Sequence, residues 1–160
     1  MPDGVIAPDD PRVPDVRALL ERHLEFARET TPAEGVHALD VSGLLAPDVT
    51  LFSYRRDGQL LAVGAIRMLD ADHAELKSMH TAEAARRQGI GRAMVEHLVD
   101  VARARGVRRV SLETGNMDAF APARALYEEA GFEPCAPFGD YVGSPTSACM
   151  SRRLDGGPPR

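Results

Sequence analysis

The chain has 160 residues, 44% of them hydrophobic, which is enough for one globular domain with its own core. A formal net charge of −5, only 5% aromatic residues and no Trp argue against a general nucleic-acid binder, and no apolar run is long enough to span a membrane. The acidic, Pro-rich start is no secretory signal, and two cysteines, Cys135 and Cys149, allow one bridge or none, so a reducing cytoplasm is the expected location.

The stretch VIA at 5–7 reads as a short strand. VPDVRALLERHLEFARE follows with Pro14 near a first turn, and Val13, Val16, Leu20, His23 or Leu24, and Ala27 recur at helical spacing. VHALDVSGLLAP predicts a short second helix stopped by Pro47. VTLFSYRR and QLLAVGAIRML predict two strands joined by Asp57-Gly58, a strong hairpin signal. The turn DADH leads into AELKSMHT, the third strand of a meander. From Ile90 the period changes: Ile90, Met94, His97, Leu98 and Val101 mark one stripe of a helix that ends in ARARG, with Gly106 as its cap. VRRVSLE is a further strand, and APARALYEEAG a helix stopped by Gly131. FEPCAPF and SACMSRRL are the last strands, with the loop GDYVGSP between them. This order predicts a mixed α/β layer with helices against a largely antiparallel sheet, a single domain over 1–154, and a disordered tail DGGPPR at 155–160.

The segment AARRQGIGRAM at 84–94 carries an electrostatic puzzle. A helix start bears partial positive charge from its free N–H groups, yet Arg86, Arg87 and Arg92 surround Gly89 and Gly91 at that place. Cations against the dipole imply an absent anion, and glycines between strand and helix let free N–H groups converge on a phosphate. The bland reading is a solvated turn kept soluble by its arginines. A P-loop is excluded because no Gly-Lys-Ser or Gly-Lys-Thr follows the glycines. A dinucleotide fingerprint is weakened because Met94 stands where a third small residue is needed, although Glu113 lies about where a ribose-binding acid would fall.

RRQGIGRA matches the R/Q-x-x-G-x-G/A signature, AELKSMHT precedes it as a central strand, and ARALYEEAGF follows as a helix carrying Tyr and then Gly-Phe. In these three pieces, in this order, the chain resembles the GNAT superfamily of acetyl-CoA-dependent N-acetyltransferases. The ending CAPFGDY with SACMSRRL is similar to a bacterial subgroup acting on small molecules. The resemblance implies a GNAT-like α/β fold with helices on both faces of the sheet, acetyl-CoA as co-substrate, a small-molecule amine as acceptor, no metal, and pairing of two copies as is common in the family. It implies that backbone amides from Arg87 through Gln88, Gly89, Ile90, Gly91 and Arg92 to Ala93 cradle the pyrophosphate. Arg86, Arg87 and Arg92 would neutralise it, and the backbone of Met79, His80 and Thr81 would pair with the pantetheine arm.

For the chemistry, the resemblance places a general base at Glu75 and a general acid at Tyr127, with a backbone N–H near Met79 holding the oxyanion. The alternatives are structural. Glu75 would be an exposed strand carboxylate paired with Lys77 on the same face, and Tyr127 a core residue of the apolar face formed with Ala123, Leu126 and Ala130. Glu113 at a strand end is an alternative base or a plain surface residue. Phe120 stands where many members carry a cofactor-contacting Asn, and Asn116 lies further upstream, so that contact is not carried over. His23, His37, His73, His80 and His97 form no metal pattern, and His97 reads as a packed histidine. Cys135 lacks the basic surroundings of a nucleophile. Asp140 and Tyr141 lie in a loop that lines the acceptor pocket or is merely a loop. Two other functions remain beside the transferase: a degenerate acetyl-CoA-binding domain and a nicotinamide-binding protein.

Overall fold

The computed structural model describes residues 4–154, and the expected disordered tail at 155–160 lies outside the described residues. Seven strands form one sheet in the order β1-β2-β3-β4-β5-β7-β6. They are β1 (Val5–Pro8), β2 (Val49–Arg56), β3 (Gln59–Met68), β4 (His73–Thr81), β5 (Arg109–Gly115), β6 (Glu133–Pro134) and β7 (Ser147–Arg153). Every neighbouring pair is antiparallel except β4 and β5. The hairpin between β2 and β3 turns as its sequence demands: Asp57 and Gly58 both take left-handed backbone angles, φ 52° and 81°.

Helices cover both faces, as expected. α1 (Pro14–Thr30) has Pro14 in its first turn, buries Leu24, and packs Val16, Leu19 and Leu20 with Leu51, Val63 and Ala65 of the sheet. The second helix, α2 (Val41–Leu44), is a single turn capped by the Asp40 carboxylate on the Gly43 amide. It is much shorter than the expected 36–47, because only this stretch has a capping side chain to hold it. On the other face α3 (Ile90–Ala104) buries Ile90, Met94, Val95, Leu98, Val99 and Ala102. His97 packs edge-on against Phe52, ring centres 5.3 Å apart, which is the packed histidine expected. α4 (Ala121–Glu129) ends in a Schellman motif: the Phe132 amide bonds the Tyr127 carbonyl and the Gly131 amide the Glu128 carbonyl, with Gly131 at φ 91°. The Phe132 ring then packs against Tyr127 at 6.1 Å. The Tyr…Gly-Phe spacing is therefore a helix-stop device that also fixes the tyrosine.

Two irregularities open the sheet. Parallel pairing of β4 with β5 runs only from His73 opposite Arg109 to Leu76 opposite Leu112. Beyond it β5 stays on β7, through Glu113 opposite Cys149 and Gly115 opposite Ser147, while β4 stays on β3. On β4 a bulge at Ser78, φ 56°, sets two residues against Gly64 of β3. Gly64 has no room for a side chain: a Cβ there would sit 2.8 Å from Met79 Sδ and 2.9 Å from Met94 Cγ. The core under α3 thus presses on the bulge from below, and the two central strands part above it.

Candidate active site

The parting strands open into a cavity of about 740 Å³. Its walls are the splayed ends of β4 and β5, the start of α3, one side of α4, the last turns of α1 and the loop at 35–38. That size suits a small ligand or the working end of a larger one.

One end of the cavity is built from backbone and cations. Gly89 caps α3 with a left-handed backbone, φ 78°, and Arg87 two residues earlier is also left-handed at φ 65°. A non-glycine residue rarely holds such angles, and the turn they make leaves successive amides pointing outward. Arg86, Arg87 and Arg92 are all exposed and all line the cavity. Met79, His80, Thr81, Gly89, Ile90 and Gly91 line it too. Gln88 does not: its side-chain oxygen accepts from Arg56. Ala93 does not either, because its amide is already spent on the Gly89 carbonyl as the first intrahelical bond. The free amides of the helix start therefore end at Arg92. Gly91 has an ordinary helical backbone, and its missing side chain serves packing: a Cβ would lie 3.2 Å from Leu126 Cδ2 of α4. Deeper in, Ser78 Oγ is buried and has no hydrogen-bond partner among the described residues. An anion cradle, a strand edge left open from Lys77 to Thr81 and an orphaned hydroxyl at the bulge together fit the pyrophosphate and extended arm of coenzyme A.

The other end is built from buried side chains. Glu75, 2% exposed, does not line the cavity. Its carboxylate accepts the hydroxyl of Tyr141 and pairs with Lys77 Nζ at 3.4 Å, and Lys77 also donates to Tyr141 at 2.7 Å. The pairing with Lys77 matches the structural alternative for Glu75; the exposure does not, because the loop carrying Tyr141 folds back over β4. Phe138 and His37 pack edge-on against the Tyr141 ring at 5.1 and 5.0 Å and hold it there.

Glu113 does line the cavity. Burial pushes its carboxyl up to about 7, with Glu75 adding to the push, while the Ser147 hydroxyl at 2.7 Å and the charge of Lys77 pull it down. A carboxyl pushed up towards neutral pH suits a proton acceptor. Tyr127 also lines the cavity, 7% exposed; burial raises its phenol well above the ordinary tyrosine value, and the charge of Glu113 pushes the same way. The core reading of Tyr127 holds, since its ring packs against Phe132 in the core, and the residue also reaches the cavity wall. Phe120 seats its ring on Gly115, where a Cβ would collide with it. His23 of α1 and His80 of β4 meet through their Nδ1 atoms at 3.2 Å. Burial comes first, then His80 and Lys77 for His23, and Arg86 and Arg22 for His80; together they push both imidazoles down to about 4. Among the described residues no cluster of His, Cys, Asp or Glu could hold a metal ion. Among the described residues no helix is long and apolar enough to cross a membrane.

Sequence reading paired Lys77 with Glu75 and set Tyr141 in a loop that lines the acceptor pocket or is merely a loop, but it missed Ser147 and did not join the three; neither Asp140 nor Tyr141 lines the cavity. Lys77, Tyr141 and Ser147 come from β4, a loop and β7, and no local pattern joins them.

Residues 15–132 match the Acetyltransferase (GNAT) family. The chain is 39% identical over 146 residues to "Uncharacterized N-acetyltransferase YsnE" of Bacillus subtilis (strain 168), spanning 91% of this chain and 97% of that one. It is 36% identical over 155 residues to "IAA acetyltransferase" of Azospirillum brasilense, spanning 96% and 100%. A GNAT family acetyltransferase from Elizabethkingia anophelis, solved with acetyl-CoA bound, superimposes with a TM-score of 0.72 at 16% identity over 96% of this chain and 100% of that one, a likeness of fold. Enzymes of the family use acetyl-CoA, and neither the non-catalytic nor the nicotinamide-binding alternative finds support in these relatives. The chain belongs to the acetyltransferase (GNAT) family and is an N-acetyltransferase.

Proposed function

We propose that the enzyme acetylates the primary amine of a small molecule by direct attack, with no acetyl group passing through the protein. Acetyl-CoA supplies an activated acetyl thioester. Arg86, Arg87 and Arg92 and the amides at the start of α3 bind its pyrophosphate, and the open edge of β4 at Met79, His80 and Thr81 orients its arm. The amide of Met79, beyond the bulge, holds the thioester oxygen as negative charge gathers on it.

The base is Glu113. Sequence reading put it at Glu75, but that carboxylate is engaged by Tyr141 and Lys77 and does not line the cavity. In this reading Glu113 takes the proton of the acceptor amine at a carboxylate oxygen, and Glu75 keeps Lys77 and Tyr141 in place. Tyr127, a phenol protonated at neutral pH and pushed further up by burial, gives its phenolic proton to the departing thiolate. The observation that carries the reading is that Glu113 and Tyr127 line the same cavity as the bulge and the cationic turn. A small acceptor is supported by the cavity volume and by the relative named IAA acetyltransferase.

The test is a ligand screen by thermal shift, followed by an amine panel with thiol detection. Acetyl-CoA and CoA are expected to stabilise the protein and NAD and ATP to do little; at a hundred times its dissociation constant a ligand adds about 2.7 kcal/mol. At least one small primary amine is expected to release thiol from acetyl-CoA. Acetylation confined to protein N-termini would overturn the small-molecule acceptor.

A further inference from the structure

We propose that Ser147, Ser144 and His37 form a proton relay that carries the acceptor's proton away from Glu113 to the imidazole on the loop at 35–38. This rests on the reading of Glu113 as the base. The chain of contacts is continuous. Ser147 Oγ meets Glu113 Oε2 at 2.7 Å, Ser144 Oγ lies 2.9 Å from Ser147 Oγ, and His37 Nε2 lies 3.2 Å from Ser144 Oγ. It links three separate parts of the molecule: β5, the segment entering β7, and the loop between α1 and α2.

Glu113 needs such an exit. Once an acceptor fills the cavity, the carboxyl is covered on that side, and its other titratable neighbours cannot receive a proton. Lys77 Nζ is a donor to both Glu75 and Tyr141 and is held between them. Tyr141 donates its hydroxyl to Glu75. Tyr127 is the donor for the thiolate. Cys149, opposite Glu113 on β7, is held as a thiol because burial pushes it up. Ser147 remains, and a serine hydroxyl both donates and accepts, with a proton free to rotate.

The transfer balances. The amine's proton moves to the Glu113 carboxylate, leaving the nitrogen lone pair for attack. Glu113 then gives a proton to Ser147 Oγ as the proton of Ser147 moves to Ser144 Oγ and that of Ser144 to His37 Nε2. Each serine ends with one proton, Glu113 is again a carboxylate, and His37 becomes an imidazolium that loses its Nδ1 proton to water. An imidazole suits this end of the path because it has two ring nitrogens, one to accept the proton and the other to release one. His37 is half-buried and lines the cavity wall, and the Tyr141 ring packed edge-on at 5.0 Å fixes the orientation of its ring.

Ser147, Ser144 and His37 act through Glu113 and are positioning residues. The middle of the path is the place to cut it. Ser144→Ala is expected to lower kcat about tenfold, less than loss of the base itself, with KM for acetyl-CoA and for the amine unchanged. Ser144→Thr keeps the hydroxyl and is expected to recover most of the loss. His37→Ala is expected to show a similar defect that added imidazole relieves in a dose-dependent way. A structural role would give no imidazole rescue and no distinction between alanine and threonine. Normal turnover in Ser144→Ala and His37→Ala, beside a crippled Glu113→Gln, would overturn the relay and leave the base in place. Normal turnover in Glu113→Gln would overturn the base and the relay together, as would a wild-type enzyme that acetylates no amine in the panel.

Discussion

The turn at 86–92 and Glu113 line one cavity, but the turn and the cluster around Glu113 are built on opposite physical plans. The turn is exposed, cationic and made largely of backbone: two left-handed residues, a helix start and three arginines in water. The Glu113 cluster is buried and made of side chains from β4, β5, β7 and the loop at 139–141, with Lys77 shared among acids and a tyrosine. Exposed charges are screened and individually weak, so the turn can supply affinity but tunes no proton. Buried groups shift one another's ionisation, so the cluster can run acid–base chemistry at neutral pH. Substitutions at one end should change binding, and substitutions at the other should change turnover or folding.

The largest effect is expected at Glu113. Glu113→Gln should lower kcat by roughly 10²- to 10⁴-fold with acetyl-CoA affinity intact. In the wild type kcat/KM should rise with pH through about 7, as the carboxyl loses its proton, and that limb should vanish in the variant. Glu75→Gln should behave differently despite the same chemistry. It leaves Lys77 buried without its counter-charge, which is expected to cost about 3 kcal/mol of stability, read by denaturant melts. A folded Glu75→Gln variant with the turnover defect assigned to Glu113 would reverse the two roles.

Tyr127→Phe keeps the ring against Phe132 and should leave stability nearly unchanged while lowering kcat roughly 10²-fold. Its defect should persist or grow as pH rises, because solvent protons become scarcer. At the other end of the cavity, Arg86→Ala or Arg87→Ala should weaken acetyl-CoA binding by about 1 kcal/mol each, measured by calorimetry, with kcat preserved. The loss should shrink in high salt, which no substitution around Glu113 should show.

The smallest effect concerns pH and folding. His23 and His80 are held down to about 4, below the unfolded value near 6.5, so the unfolded chain binds more protons than the folded one between those limits. Stability should therefore fall as pH drops from about 6.5 towards 4. His23→Leu should flatten that slope in melts at pH 7 and pH 5. An unchanged slope would mean that other groups dominate acid sensitivity.

Legibility in the sequence follows the same division. The cradle occupies seven consecutive residues, 86 to 92, so its glycines, arginines and helix start could be read side by side. Even there the packing role of Gly91 was hidden, because the neighbour that needs its space, Leu126, lies 35 residues (126 − 91) downstream. The meander was legible because Asp57-Gly58 names its own turn. The bulge at Ser78 was not, because it depends on Gly64, Met79 and Met94 crowding one point. Glu75 and Glu113 are both acids on strands next to apolar residues. What separates them is Tyr141, 66 residues from Glu75 and folded over it by a loop with no regular pattern.

The most direct measurement is a ¹³C NMR titration of the glutamate side-chain carboxyl carbons, with Glu113 assigned by its loss in Glu113→Gln. It needs no knowledge of the acceptor. The expected result is one carboxyl titrating near 7, moving further up in Ser147→Ala when its hydrogen bond is removed. A Glu113 carboxyl titrating with the ordinary surface glutamates, near 4.3, would contradict the assignment of the base.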